Sequence, residues 1–148
     1  MTIARLVNAV DLDALLALFA DSDVSQSAEP DRAEMIWSQI LAREGLMIFV
    51  SDEDSRIVST CTLITTPNLL RGGRPFGVLE NVATHPDFQG RGHGRAVVAA
   101  ALAEAWKQDC YQVLMQSGRA DPRVHRFYEA CGFVPGLRTA YCARRPAG

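Results

Sequence analysis

Gln89-Gly90-Arg91-Gly92-His93-Gly94-Arg95 alternates three glycines with positively charged or titratable side chains. It stands between a strand-like run, residues 76–84, and an alanine-rich helical pattern that reaches about residue 109 with Val98, Leu102, Ala105 and Trp106 on its inner stripe. A helix start offers unpaired amides and a partial positive charge, so this junction suits an anion. Glycines at 90, 92 and 94 let the backbone approach a diphosphate without a Cβ in the way, and Arg91, His93 and Arg95 add charge beside it. The same run also serves as an ordinary glycine-rich turn. Two familiar phosphate loops are excluded by spacing: no Gly-Lys-Ser/Thr closes the run, and Gly90 and Gly92 do not continue as G-x-G-x-x-G.

Outward from this junction, residues 11–20 carry Leu12, Leu15, Leu16 and Phe19 at helical spacing, with Asp11 as a cap. A polar stretch, 21–30, reads as a substrate lip. Pro30 or Asp31 then opens a second helix bearing Met35, Ile36, Ile40 and Leu41, which Gly45 stops. Runs 46–51 and 56–66 form a hairpin around Asp52-Glu53-Asp54-Ser55. Beyond the long helix, 111–116 reads as a buried strand, and Asp121-Pro122 opens a short helix with Val124, Phe127, Tyr128 and Cys131 inward and Gly132 at its end. A last strand is expected over 137–144. The order ααββ, then β-α-β-α-β, implies an α/β chain with a mixed sheet covered by helices.

The chain of 148 residues, 48% hydrophobic, fits one domain over 1–148. A net charge of -2 without a basic run argues against nucleic acid. The longest low-polarity stretch, 96–105, is broken by Glu104 and falls short of the roughly 20 residues a membrane span needs. With no signal-like apolar core near the N-terminus, the expected location is cytoplasmic. Cys61, Cys110, Cys131 and Cys142 show no metal spacing, so no metal is expected and the thiols read as reduced and buried.

In Gln89, Gly92 and Gly94 the chain resembles the GNAT superfamily of acetyl-CoA-dependent N-acetyltransferases, whose signature is Gln/Arg-x-x-Gly-x-Gly/Ala. The strand Leu79-Glu80-Asn81-Val82-Ala83-Thr84-His85-Pro86 and the later His125-Arg126-Phe127-Tyr128-Glu129-Ala130-Cys131-Gly132-Phe133 are similar to it in the same order. The resemblance is specific from about residue 76 to 133 and implies the GNAT fold, with a mixed, mostly antiparallel central sheet flanked by helices. It further implies that Gln89, Gly90, Arg91, Gly92, His93, Gly94 and Arg95 hold the CoA diphosphate, while the backbone of Val82, Ala83 and Thr84 pairs with pantetheine as an added strand. An Asn often found before the last helix has no counterpart in Ser117-Gly118-Arg119-Ala120-Asp121.

The resemblance places Tyr128 near the CoA sulfur, where a phenol with a reference pKa of about 10 can protonate a departing thiolate. Packing in the helix stripe is its alternative role. Glu80, a carboxylate on a strand face shared by alternation with Phe76, Val78, Val82 and Thr84, is either the base for the amine or a structural partner of Arg71 or Arg74. His85 reads as a turn or surface residue, His125 as exposed, and Trp37 and Trp106 as packing. The expected activity is acetyl transfer to a small-molecule amine, with an anionic group on the acceptor met by Arg71, Arg74 or Arg119 and homodimerisation left open. A protein N-terminus or lysine as acceptor, or a noncatalytic acyl-CoA-binding module, are the alternatives.

Overall fold

The computed structural model describes residues 2–148. The chain divides into two compact units, Met1–Met115 and Gln116–Gly148. The first is built on a five-stranded sheet of β1 (Ala4–Leu6), β2 (Leu46–Glu53), β3 (Arg56–Thr66), β4 (Phe76–Thr84) and β5 (Val113–Leu114), in that spatial order. The first four strands are antiparallel, and β5 joins β4 in parallel. Asp54 and Ser55 turn the β2–β3 hairpin, and positive φ at both (51 and 61) is the geometry that matches the twist of the flanking strands. β1 lies outside the elements expected above: three residues are too few for an alternation signal, and it forms through its ladder from Ala4↔Ser51 to Leu6↔Phe49.

Alternation along β2 and β3 gives the sheet two apolar faces. On one, Ile48, Val50 and Ile57 pack with Leu15 and Leu18 of α1 (Leu12–Asp21) and Trp37 of α2 (Pro30–Ala42). Truncating Leu18, which is fully buried, to alanine should cost about 2–5 kcal/mol. The indole N–H of Trp37 donates to the Ala9 carbonyl at 3.1 Å, which ties α2 to the 3-10 turn ahead of α1. On the other face Cys61 lies 3.2 Å from the Val97 carbonyl of α3 (His93–Lys107), whose Val97, Val98, Ala101 and Ala105 are buried. Three expected inward residues face water instead: Met35, Leu41 and Trp106 are exposed, with Met35 on the side of α2 away from the buried Ala33 and Trp37. Asp11 does not cap α1 through its side chain. Its carboxylate takes the Arg5 guanidinium at 2.7 Å and the Asn8 N–H at 2.8 Å, and Asn8 does the capping one turn earlier. Arg5 thereby holds the Asp11 carboxyl below the usual range.

β4 breaks the simple alternation. Thr62 pairs with Glu80 and Thr60 with Ala83, so Asn81 and Val82 together oppose Cys61, and Asn81 takes φ 52. This is a β-bulge. Ala83 consequently joins Glu80 on the α1/α2 face, while Thr84, bonded to Ser59 at 2.8 Å, turns to the α3 face. The expected common face for Glu80, Val82 and Thr84 is therefore corrected.

In the second unit, α4 (Pro122–Ala130) starts as its sequence dictates: Asp121 accepts from the Arg123 N–H at 2.9 Å and Pro122 occupies the first turn. Gly132 at φ 102 closes it, with the Phe133 N–H returning to the Tyr128 carbonyl at 3.1 Å. Residues 137–144 form no strand, in contrast to the expectation, and Leu137 and Tyr141 are exposed. Alternation alone cannot make a strand where no ladder partner is present among the described residues. Cys61 and Cys110 are buried as expected, and burial pushes the Cys110 thiol up, but Cys131 is half-buried and Cys142 exposed. Among the described residues no helix is long and apolar enough to cross a membrane.

Candidate active site

β5 pairs with β4 only at Gly77↔Val113 and Val78↔Leu114. From Leu79 onward β4 has no strand on that side among the described residues, so its outer backbone groups are open to an extended partner. The bulge at Asn81 lies in this open stretch, and Val82, Ala83 and Thr84 follow it.

The same strand leads through the 3-10 turn Pro86–Phe88 into the glycine run and α3. Gly90 and Gly92 have φ 77 and 90, left-handed values that favour glycine. Among the described residues a Cβ at Gly90 would meet nothing within 4 Å, and one at Gly92 only the Thr2 hydroxyl at 3.6 Å. The first helical bond runs from the Ala96 N–H to the Gly92 carbonyl at 2.9 Å, which leaves the amides of His93, Gly94 and Arg95 ahead of it. Open space, free amides and the positive helix end together fit a diphosphate. Gln89 turns its side-chain amide back to the Thr84 carbonyl at 3.4 Å.

The three charged side chains of this run differ in their engagements. Arg91 lies 2.8 Å from a Glu53 oxygen and 5.0 Å over the Phe88 ring. His93, expected beside the anion, has its side chain buried between the Ser51 hydroxyl at 2.7 Å and the other Glu53 oxygen at 2.5 Å. The His93 bond, then Arg91, draws the Glu53 carboxyl below its ordinary value. Arg95 is exposed and makes no ion pair among the described residues, which leaves it the unengaged cation of the three. His85 is buried rather than superficial, with Nδ1 accepting from the Asp87 N–H at 3.1 Å. His125 is exposed as expected, with Nε2 2.9 Å from the Arg119 carbonyl.

Glu80 borders a cleft of about 430 Å³ between β3–β4 and α1–α2, and the segment from Val24 to Ala28 forms its rim, in keeping with the lip expected there. Its carboxylate is solvent-exposed and makes no ion pair among the described residues. Arg74 is bound to Asp109 at 3.0 Å and Arg71 lies 5.1 Å over the Tyr111 ring, so neither is the structural partner of Glu80. Leu12, Leu16, Phe19, Ile36 and Ile40 line the cleft, although their spacing reads only as core. Helical periodicity reports which side chains face inward and is silent on whether they meet a neighbour or a void.

Tyr128 lies on α4 in the second unit. Its half-buried ring makes edge contacts with Phe127 and Phe133, with centroids 5.0 and 6.1 Å away.

Residues 12–133 match the family model described as Acetyltransferase (GNAT) family. The fold is similar to that of a putative acetyltransferase from Agrobacterium tumefaciens str. C58, with a TM-score of 0.88 and 39% identity over 96% of this chain and 99% of that one. An aminoglycoside N(6')-acetyltransferase type 1 of Stenotrophomonas maltophilia is 28% identical over 130 residues, 85% of this chain and 79% of its own. A glucosamine 6-phosphate N-acetyltransferase of Trypanosoma brucei brucei is 31% identical over 86 residues, 58% of this chain and 56% of its own. The chain spans about half the length of two of the curated glucosamine 6-phosphate relatives it matches. With the family model running from α1 past α4, through the open strand and the glycine run, the chain belongs to the acetyltransferase (GNAT) family.

Proposed function

We propose that this protein is an N-acetyltransferase that moves acetyl from acetyl-CoA directly to a primary amine of a small molecule. The observation that carries the reading is the continuity of one strand: β4 presents Glu80 to a cleft, an open edge at Val82, Ala83 and Thr84, and then the left-handed glycines that begin α3. An extended pantetheine arm along that edge would run from the diphosphate cradle to the carboxylate. The family match runs through both units, which supports reading residues 1–148 as one domain.

Bound acetyl-CoA supplies the acyl group as a thioester. Glu80 takes the proton that the amine nitrogen loses as its bond to the acetyl carbon forms. The carbon–sulfur bond breaks, and Tyr128 gives the departing sulfur a proton that solvent later restores. The amides of residues 89–95, together with Arg95, hold the diphosphate; Arg91 and His93 act on it through the loop they brace with Glu53. A cleft of about 430 Å³ suits a small acceptor better than a folded protein surface.

Calorimetric titration of acetyl-CoA, paired with thiol release over a panel of amines, tests this. Micromolar binding with thiol release that depends on an amine is expected. Absence of binding at millimolar acetyl-CoA would overturn the assignment, and binding without release to any amine or peptide would leave only an acyl-CoA-binding module.

A further inference from the structure

We infer that the acceptor is a monocationic amine on an apolar body, an aralkylamine or alkylamine that carries no phosphate and no second cation. This rests on the acetyl-transfer reading and on the identity of the cleft as the acceptor site. The walls are hydrocarbon: Leu12, Leu16 and Phe19 come from α1, Ile36 and Ile40 from α2, and Ile64 from β3. Among the described residues Glu80 is the single ionisable side chain lining it, accompanied by small polar groups such as Thr62, Ser25 and Asn81.

That composition discriminates among amines. A sugar phosphate would bring a dianion into a space that no lysine, arginine or histidine lines among the described residues, beside a carboxylate of the same sign. A polycationic aminoglycoside would bring several ammonium groups to one carboxylate. Arg71 and Arg74, expected to meet an anion on the acceptor, do not line the cleft and are engaged with Tyr111 and Asp109. One carboxylate at the mouth of an apolar cavity instead complements one ammonium group at the end of an apolar chain. Its volume, about 430 Å³, leaves ample room for a phenyl or hexyl body.

The test measures kcat/KM for thiol release at saturating acetyl-CoA across propylamine, butylamine, pentylamine, hexylamine and phenethylamine, set against glucosamine 6-phosphate and kanamycin. Alkylamines have nearly equal basicity, so the series varies apolar area alone. The expected rise is about fourfold per methylene until the cleft is full. Phenethylamine should exceed glucosamine 6-phosphate at least 100-fold. Leu16→Asn should raise KM for phenethylamine tenfold or more while the acetyl-CoA Kd stays within twofold. A flat alkylamine series in the wild type overturns the inference even if that variant does not fold. A preference for glucosamine 6-phosphate or kanamycin, or acetyl-CoA binding with no amine accepted, overturns it and leaves the acetyl-CoA site standing. If acetyl-CoA itself fails to bind, the acetyl-transfer reading falls and the inference falls with it.

Discussion

Gly92→Val separates the backbone's part in binding from its part in folding. Gly92 has φ 90 and ψ -2 at the position before α3. An L-residue held in the left-handed region costs about 1–2 kcal/mol, and a β-branched one at least that. Almost no steric cost is added, because among the described residues a Cβ there meets only the Thr2 hydroxyl at 3.6 Å. Gly73, at φ 82 with nothing within 4 Å, is a matched control in the loop before β4. For a chain of this size 1 kcal/mol moves Tm by about 2–4 °C, so each variant should melt about 2–8 °C lower. Acetyl-CoA at 100 times its Kd adds about 2.7 kcal/mol, a rise of roughly 5–10 °C. Thermal melts with and without acetyl-CoA should show that rise in the wild type and in Gly73→Val, and little or none in Gly92→Val. A full ligand-induced rise in Gly92→Val would refute the placement of the diphosphate against Gly92.

Tyr128→Phe should lower kcat about 10²-fold or more with the acetyl-CoA Kd changed no more than a few-fold, as steady-state kinetics and calorimetry would report; unchanged kcat would assign the ring to its packing with Phe127 and Phe133. Glu80→Gln should lower kcat/KM by about 10²–10³ in steady-state kinetics, and a wild-type rate would exclude Glu80 as the base. Asp11→Asn should destabilise the fold by about 1.5–3 kcal/mol near neutrality, since it removes a carboxylate that takes Arg5 and the Asn8 N–H. Arg5 lowers the folded-state pKa of Asp11, so its stabilisation is present above the unfolded carboxylate pKa of about 3.9 and is lost as pH falls through the folded value. The gap between variant and wild type in denaturant titrations should therefore close below about pH 4.

β4 was legible to its ends, Phe76–Thr84, because residues 75 and 86 are prolines and the run between them is rich in strand formers. The hairpin and both proline-started helices were legible for similar local reasons. Three features were not. Asn81 gives no glycine to mark its bulge, and its positive φ emerges only in the pairing with β3. His93 reads as part of the charged run, whereas its partners lie 42 and 40 residues upstream on β2. The strand expected over 137–144 has no partner to pair with among the described residues. Local chemistry writes turns and helix starts into sequence, while register and side-chain partnership are settled by distant residues.

The bulge makes β4 odd by one residue, and this parity has a use. Thr62 and Thr60 are two apart on β3, while Glu80 and Ala83 opposite them are three apart on β4. Deleting Asn81 would restore an even count, with Glu80 and Ala83 still toward the cleft and Leu79 and Thr84 still toward α3. Such a shortened chain keeps the other side chains on both faces and gives up one peptide unit with its bend. It converts the question of how much catalysis depends on the path of the main chain into a comparison of two proteins that differ by one peptide unit and the Asn81 amide at the cleft.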